Sequence, residues 1–224
     1  MNLLAIETSS ATASVALSAN AEIREALIAT PREQAARILP VTDALLAEAG
    51  LTLGGLDAVV FGRGPGSFTG LRVAAAVAQG LAMSAQRPVL GVSSLAAMAQ
   101  GAWRAWAASH VLACVDARMN EVYWARFELV DGLARLQGSE RIGAPDEVET
   151  PAVSAWTAVG SGFATDVAEL AALGKRADRL DVGLEPRAQD LLPQARADFA
   201  AGLFVPLDAV LPTYLRDQKA WRRQ

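Results

Sequence analysis

Short apolar runs and longer runs of helical periodicity alternate along the first half of the chain. Each short run is bounded by glycine, proline or small polar residues, so each predicts a strand. The predicted strands are residues 2–7, 13–17, 22–28, 56–61 and 88–90. Helical patterns predict helices at residues 31–50, 68–85 and 94–108. Strands that alternate with helices predict an α/β fold.

Local signals mark where the predicted helices begin and where one of them breaks. Thr30 is a candidate N-cap for the first helix, and Pro40 should kink that helix or divide it. Ser67 or Thr69 is the candidate N-cap of the second helix. Ser94 is a candidate cap of the third.

The second half of the chain repeats the order of the first. An apolar strand that ends in a carboxylate, followed by a returning strand, occurs at Glu7 and again at Asp116. Residues 156–162 then repeat the strand and glycine turn of residues 57–62. This order predicts a duplicated, two-lobed α/β fold with mixed sheets flanked by helices. The predicted lobes are residues 1–108 and 109–224.

Composition excludes several classes of protein. The chain has 224 residues, of which 52% are hydrophobic, so it can bury a sizeable core. A single cysteine excludes an intramolecular disulfide framework. No apolar run is long enough for a membrane span, and the N-terminus lacks the basic start of a signal peptide. We therefore expect a cytoplasmic protein without a membrane association.

The net charge of the chain argues against strong nucleic-acid binding by this chain alone. The formal net charge is −4, and the sequence pI is about 5.1. One basic cluster lies near the C-terminus and comprises Arg216, Lys219, Arg222 and Arg223. If RNA is involved, a partner should supply most of the contact. The same cluster also fits a solvated tail with no partner.

Two polar runs are candidate ligand sites. Glu7 and Thr8 end the first strand, where a carboxylate and hydroxyls can hold hydrated Mg²⁺ or a phosphate. The glycine-rich loop before the second helix contains Gly64, Gly66 and Ser67, and its backbone amides can approach an anion. The loop lacks the Gly-Lys-Ser/Thr ending of a P-loop. Both runs also fit simple turns whose polar groups satisfy the backbone.

The second predicted helix is apolar around its whole circumference. Residues 73–83 contain no charged side chain, and such a helix must be covered on every side. One lobe can cover one face, so the other face predicts a protein interface. The predicted interface residues are Arg72, Val73, Ala74, Val77, Gly80, Leu81 and, from the preceding helix, Ile38. The alternative is complete burial of this helix within the lobe.

Catalytic chemistry has few candidates. His110 is the only histidine, so the chain cannot build a histidine-based zinc or iron site by itself. No serine lies in a nucleophile-elbow sequence. The sequence therefore predicts neither catalytic residues nor a metal site.

These residues resemble the YeaZ/TsaB family over essentially the whole chain. The matching motifs are Leu4-Ala-Ile-Glu-Thr-Ser-Ser, Gly62-Arg-Gly-Pro-Gly-Ser-Phe-Thr-Gly-Leu-Arg72, Asp116-Ala-Arg-Met119, Glu121-Val-Tyr-Trp124 and Pro212-Thr-Tyr-Leu-Arg216. The resemblance implies an actin-like, Hsp70-like (ASKHA) fold. It also implies a role in forming N6-threonylcarbamoyladenosine at position 37 of tRNA.

The resemblance further implies that the chain is a non-catalytic subunit. In that pathway a larger paralogue, TsaD, transfers the threonylcarbamoyl group, and a small ATPase, TsaE, joins the complex. The family member is the dimerisation partner of TsaD and forms a homodimer when alone. ATP, ADP and Mg²⁺ then belong to the assembled complex, this chain requires no cofactor, and tRNA is bound indirectly.

Two other functions remain open at the level of the sequence. The chain can be an ATP-binding kinase or ATPase of the actin-like class, in which Glu7, Thr8 and Asp116 would hold phosphate and Mg²⁺. A peptidase is the other alternative, and the single histidine disfavours it.

Overall fold

The computed structural model describes residues 1–164 and 167–216. These residues form two compact units. The first unit contains residues 1–94 and 186–213, and the second contains residues 95–185 and 214–216. No helix within the described ranges is both long enough and apolar enough to cross a membrane.

The first unit is built on a five-stranded mixed sheet. Its strands are β1 (Leu3–Glu7), β2 (Ala13–Ala19), β3 (Glu22–Ile28), β4 (Ala58–Gly64) and β5 (Val89–Ser93), in the order β3-β2-β1-β4-β5. The first three strands pair antiparallel, whereas β4 pairs parallel with β1 and β5.

The α-helices of the described chain are α1 (Gln34–Glu48), α2 (Phe68–Ala85), α3 (Ser94–Trp106), α4 (Ala168–Gly174) and α5 (Ala188–Ala200).

Helices cover both faces of this first sheet. β1 and β2 are buried along their whole length, which explains their nearly continuous apolar sequences. Ile38 of α1 and Ala78 of α2 share a core with Leu4 and Val15 of the sheet. α5 packs on β1, β2, β4 and β5.

The second unit repeats the topology of the first. Its strands are β6 (His110–Arg118), β7 (Glu121–Val130), β8 (Leu133–Gly143), β9 (Thr157–Val159) and β10 (Arg179–Asp181). Their order, β8-β7-β6-β9-β10, and their orientations match those of the first sheet strand for strand. The predicted duplication of an α/β unit is therefore confirmed.

The units divide elsewhere than at the predicted boundary between residues 108 and 109. α3 belongs to the second unit because Leu95, Met98 and Ala102 pack in one core with β6 and β7. α5 returns to the first unit because it covers the first sheet. A boundary drawn at one point in the sequence does not capture a chain that passes between the units three times, after residues 94, 185 and 213.

Three local features differ from the prediction. α1 is continuous through Pro40, and the residues before it, Pro31–Glu33, form a separate 3-10 turn. The Thr30 side chain makes no capping hydrogen bond. β8 was not predicted, because its polar middle lies at an exposed edge of the sheet and lacks alternation. α2 begins at the predicted residue, and Ser67 is its N-cap.

Candidate functional site

The two polar runs singled out in the sequence pack directly against each other. The turn that follows β1 meets the glycine-rich loop between β4 and α2. The Ser67 amide donates to the Ser9 carbonyl at 2.8 Å. The Thr8 hydroxyl donates to the Gly70 carbonyl at 2.6 Å. These two hydrogen bonds join the turn and the loop within the first unit.

Two glycines permit this contact because a side chain would collide with backbone. A Cβ atom on Gly70 would lie 1.9 Å from the Thr8 carbonyl oxygen. A Cβ atom on Gly66 would lie 2.5 Å from the Ser9 carbonyl oxygen. The loop is therefore glycine-rich because the chain approaches itself there, which is one of the uses of glycine.

Glu7 lies beneath this contact and is fully buried. Its Oε1 accepts a hydrogen bond from the Ser9 amide at 2.7 Å, and its Oε2 accepts one from the Ser94 hydroxyl at 2.8 Å. A Cβ atom on Gly62 would lie 2.1 Å from Oε2, so the carboxyl group fills the space above that glycine. Burial raises the pKa of Glu7, although the hydrogen bonds from Ser9 and Ser94 lower it.

The predicted ligand residues do not fit a hydrated Mg²⁺ ion or a nucleotide phosphate at this turn. Both Glu7 oxygens are engaged within the chain, and the Thr8 hydroxyl is buried against Gly70. A Cβ atom on Gly64 would lie 2.8 Å from Leu71 Cδ1, so Gly64, like Gly66, has no open space beside it. Ser67 caps α2 by accepting a hydrogen bond from the Gly70 amide. Within residues 1–164 and 167–216, no group of three acidic, histidine or cysteine side chains is arranged to hold a metal ion.

The predicted interface helix, α2, has one buried side and one accessible side. The buried side is made of Leu71, Ala74, Ala75, Ala78 and Ala82. The accessible side contains exposed or half-buried Arg72, Val73, Ala76, Val77, Gly80, Leu81 and Met83. The Arg72 guanidinium lies over the Phe68 ring at 3.6 Å.

Two of the predicted interface residues belong to the core. Ala74 and Ile38 are fully buried in the first unit, so neither side chain is available to a partner. For Ala74 the reason is that the all-apolar sequence of α2 does not reveal which side of the helix faces the sheet. Ala76 and Met83 are exposed on α2, and Leu39 is exposed on α1.

The polar run after β6 forms a hairpin in the second unit. Arg118 forms an ion pair with Asp116 at 3.1 Å. The hairpin residues Asp116 and 118–122, together with Pro145 and Val167, line a cavity of about 450 Å³. Burial raises the pKa of the nearby Cys114 thiol, and the charge of Asp116 adds to this effect.

The C-terminal basic cluster lies only partly within the described residues. Arg216 forms an ion pair with Glu121 and donates to the Ala117 carbonyl at 3.0 Å. Lys219, Arg222 and Arg223 lie outside the described residues. Arg216 therefore ties the end of the described chain to the hairpin.

Sequence reasoning missed the partners of Glu7. Ser94 was expected to cap α3, but its hydroxyl donates to Glu7. Gln79 of α2 also has a partner distant in sequence, because its side-chain amide donates to the Leu207 carbonyl at 2.5 Å. No local pattern signals either contact, because each joins residues far apart in the chain.

Comparisons with known proteins place the chain in a tRNA-modification family. A family model described as "TsaD: tRNA N6-adenosine threonylcarbamoyltransferase" matches residues 28–223. The tRNA threonylcarbamoyladenosine biosynthesis protein TsaB of Escherichia coli strain K12 is 39% identical over 100% of this chain and 98% of its own length. The Haemophilus influenzae protein of the same name is 36% identical over 100% of this chain and 97% of its own length.

A solved structure agrees with these relatives. The structure described as YeaZ from Pseudomonas aeruginosa is 42% identical to this chain and superposes with a TM-score of 0.86. The match covers 96% of this chain and 99% of that one. The expected α/β fold, with two mixed sheets flanked by helices, is confirmed, and it is the fold of the YeaZ structure.

Proposed function

This chain belongs to the YeaZ/TsaB family of tRNA threonylcarbamoyladenosine biosynthesis proteins, and on that premise we propose that it is a non-catalytic partner subunit. Its partner is the larger paralogue, TsaD, which performs the transfer. The accessible side of α2 binds that paralogue in a cytoplasmic complex that TsaE also joins. In the absence of the paralogue, the same surface forms a homodimer.

The single observation that carries this proposal is the accessible side of α2. Arg72 is the only charged residue in Phe68–Ala85, so the exposed side of the helix has apolar and small residues where a solvated surface has charges. Exposed apolar surface of this kind marks protein interaction sites. The inner side already packs on the sheet of the first unit.

Gly80 indicates how closely the partner approaches the backbone of α2. A Cβ atom on Gly80 would meet nothing within 4 Å, so the packing of this chain does not require a glycine there. A glycine in a helix interior costs about 1 kcal/mol relative to alanine. A residue that costs stability and meets open space is explained by a second chain that approaches the helix backbone closely.

The geometry at Glu7 supports the non-catalytic part of the proposal. In the alternative function, an actin-like kinase or ATPase, Glu7 and Thr8 would hold Mg²⁺ and phosphate. In this chain the glycine-rich loop packs onto that turn, and both carboxylate oxygens accept internal hydrogen bonds. ATP, ADP and Mg²⁺ then belong to the assembled complex, and tRNA is bound indirectly through it.

A matched pair of variants at Gly80 tests the partner interface. Gly80→Arg places a bulky charge where the partner helix should approach, while Gly80→Ala adds only a methyl group. Size-exclusion chromatography and calorimetry with the larger paralogue from the same genome measure association. We expect Gly80→Arg to lose association and to retain a folded circular dichroism spectrum.

Gly80→Ala should weaken association far less than Gly80→Arg does. Tight binding by Gly80→Arg would show that the partner lies elsewhere on the surface. Absence of binding by the unmodified chain would refute the proposed function.

A further inference from the structure

A second apolar surface lies beside α2, on the segment that follows α5. Residues 203–211, called here the strap, carry four large apolar side chains that face solvent. Leu203 is 63% exposed, Phe204 43%, Leu207 39% and Leu211 66%. Four such residues within one short segment exceed the scattered exposed leucines of an ordinary surface.

The strap is held in place, so this exposure belongs to the folded unit. The Val205 amide donates to the Val89 carbonyl of β5 at 2.8 Å. The Val210 side chain is buried in the core of the first unit. Just beyond the strap, the Thr213 amide donates to the Arg63 carbonyl at 2.8 Å.

The strap adjoins the accessible side of α2. The Gln79 side chain of α2 donates to the Leu207 carbonyl at 2.5 Å. On an α-helix, residues three and four positions apart are neighbours, so Gln79 lies beside Ala76 and Met83. Ala76 is exposed and Met83 is 65% exposed. The apolar surface of α2 therefore continues onto the strap.

The charges of this combined surface indicate the kind of partner. Asp208 is the only charged residue in the strap, and Arg72 is the only one in α2. One charge of each sign on a wide apolar area does not suit a phosphate backbone, which requires clustered cations. It suits an apolar protein surface with few charges.

We infer that the strap is a second contact surface for the larger paralogue, continuous with the α2 face through Gln79 and Leu207. This inference rests on the proposed function, because it assigns the strap to the same partner. It adds that the interface is wider than one helix and that Leu203 and Leu211 are anchors of it.

Charged substitutions on the strap test the inference with a matched control in the second unit. The test variants are Leu203→Asp and Leu211→Asp, and Leu211→Ala truncates the side chain without adding charge. Leu136→Asp is the control, because Leu136 of β8 is also an exposed leucine, at 42%. Calorimetry with the larger paralogue gives Kd, and circular dichroism confirms that each variant is folded.

We expect each strap aspartate to raise Kd about tenfold or more, as burial of an unpaired charge at an interface does. Leu211→Ala should raise Kd less, and Leu136→Asp should leave it within about twofold of the unmodified chain. If the strap variants bind normally while Gly80→Arg does not, the inference is wrong and the proposed function stands.

Two other outcomes also overturn the inference. If the strap variants lose the homodimer but keep the paralogue, the occupant of the strap is a second copy of this chain. If the unmodified chain does not bind the paralogue at all, both the inference and the proposed function fail.

Discussion

Replacing Glu7 by alanine and by glutamine separates its structural role from a role of its charge. Glu7→Ala leaves the Ser9 amide and the Ser94 hydroxyl without their acceptor. Each unsatisfied buried donor costs about 1–3 kcal/mol, so for the two donors we expect a loss of about 2–6 kcal/mol in the free energy of unfolding. Glu7→Gln keeps both contacts, since its oxygen accepts from Ser9 and its amide donates to the Ser94 oxygen.

The raised pKa of Glu7 gives this comparison a pH dependence with a definite sign. Because burial raises the pKa, the unfolded chain releases this proton at a lower pH than the folded chain does. Between the two pKa values the folded state binds more protons, so stability falls as pH rises, by at most about 1.4 kcal/mol per pH unit. Glutamine does not titrate. The stability of Glu7→Gln relative to the unmodified chain should therefore increase from acidic to neutral pH.

Urea unfolding followed by circular dichroism, at acidic and at neutral pH, measures these differences. Tryptophan fluorescence is unsuitable for the first unit, because the five tryptophans of the chain lie outside residues 1–94 and 186–213. The reasoning is refuted if Glu7→Gln is as unstable as Glu7→Ala. It is also refuted if the advantage of Glu7→Gln shrinks as pH rises.

Three further predictions follow from the same geometry. Gly70→Ala should destabilise the first unit, because its Cβ would lie 1.9 Å from the Thr8 carbonyl oxygen, whereas Gly80→Ala should stabilise it by about 0.5–1 kcal/mol. Thermal unfolding of the two variants measures both effects, and equal shifts in Tm would contradict the packing described for these two glycines. Ala74→Glu should unfold the first unit because Ala74 is fully buried, while Ala76→Glu should fold and lose paralogue binding. Circular dichroism measures folding and chromatography measures binding, and a folded Ala74→Glu variant would contradict the burial of Ala74 in the core. Calorimetry of the chain with ATP and Mg²⁺ should show no binding that depends on Glu7, and micromolar binding lost in Glu7→Ala would instead favour the nucleotide-enzyme alternative.

Much of the first unit was predictable because its signals are local. β3 and α2 have the predicted bounds, since turn residues and the Ser67 cap mark their ends. The strand that ends in a carboxylate, at Glu7 and again at Asp116, predicts the duplication from the sequence. The matching strand orders of the two sheets confirm it.

Other features depend on contacts that no local pattern encodes. α2 is apolar on both sides, so only the packed structure shows that Ala74 faces the core while Gly80 meets open space. Glu7 and the glycine-rich loop suggested a ligand site because carboxylates and glycines serve that purpose elsewhere. In this fold the glycine-rich loop packs against Thr8 and Ser9, and Glu7 accepts hydrogen bonds from Ser9 and Ser94. The bond from Ser94 to Glu7 joins residues far apart in the sequence.

Reconstitution of the tRNA modification tests the central claim most directly. The reaction contains the threonylcarbamoyl-adenylate synthase, the larger paralogue, the small ATPase, unmodified tRNA, threonine, bicarbonate and ATP, with and without this chain. A partner subunit predicts that modified adenosine accumulates only when the chain is present, and that the chain alone modifies nothing. Equal modification without the chain, or modification by the chain alone, would contradict the account.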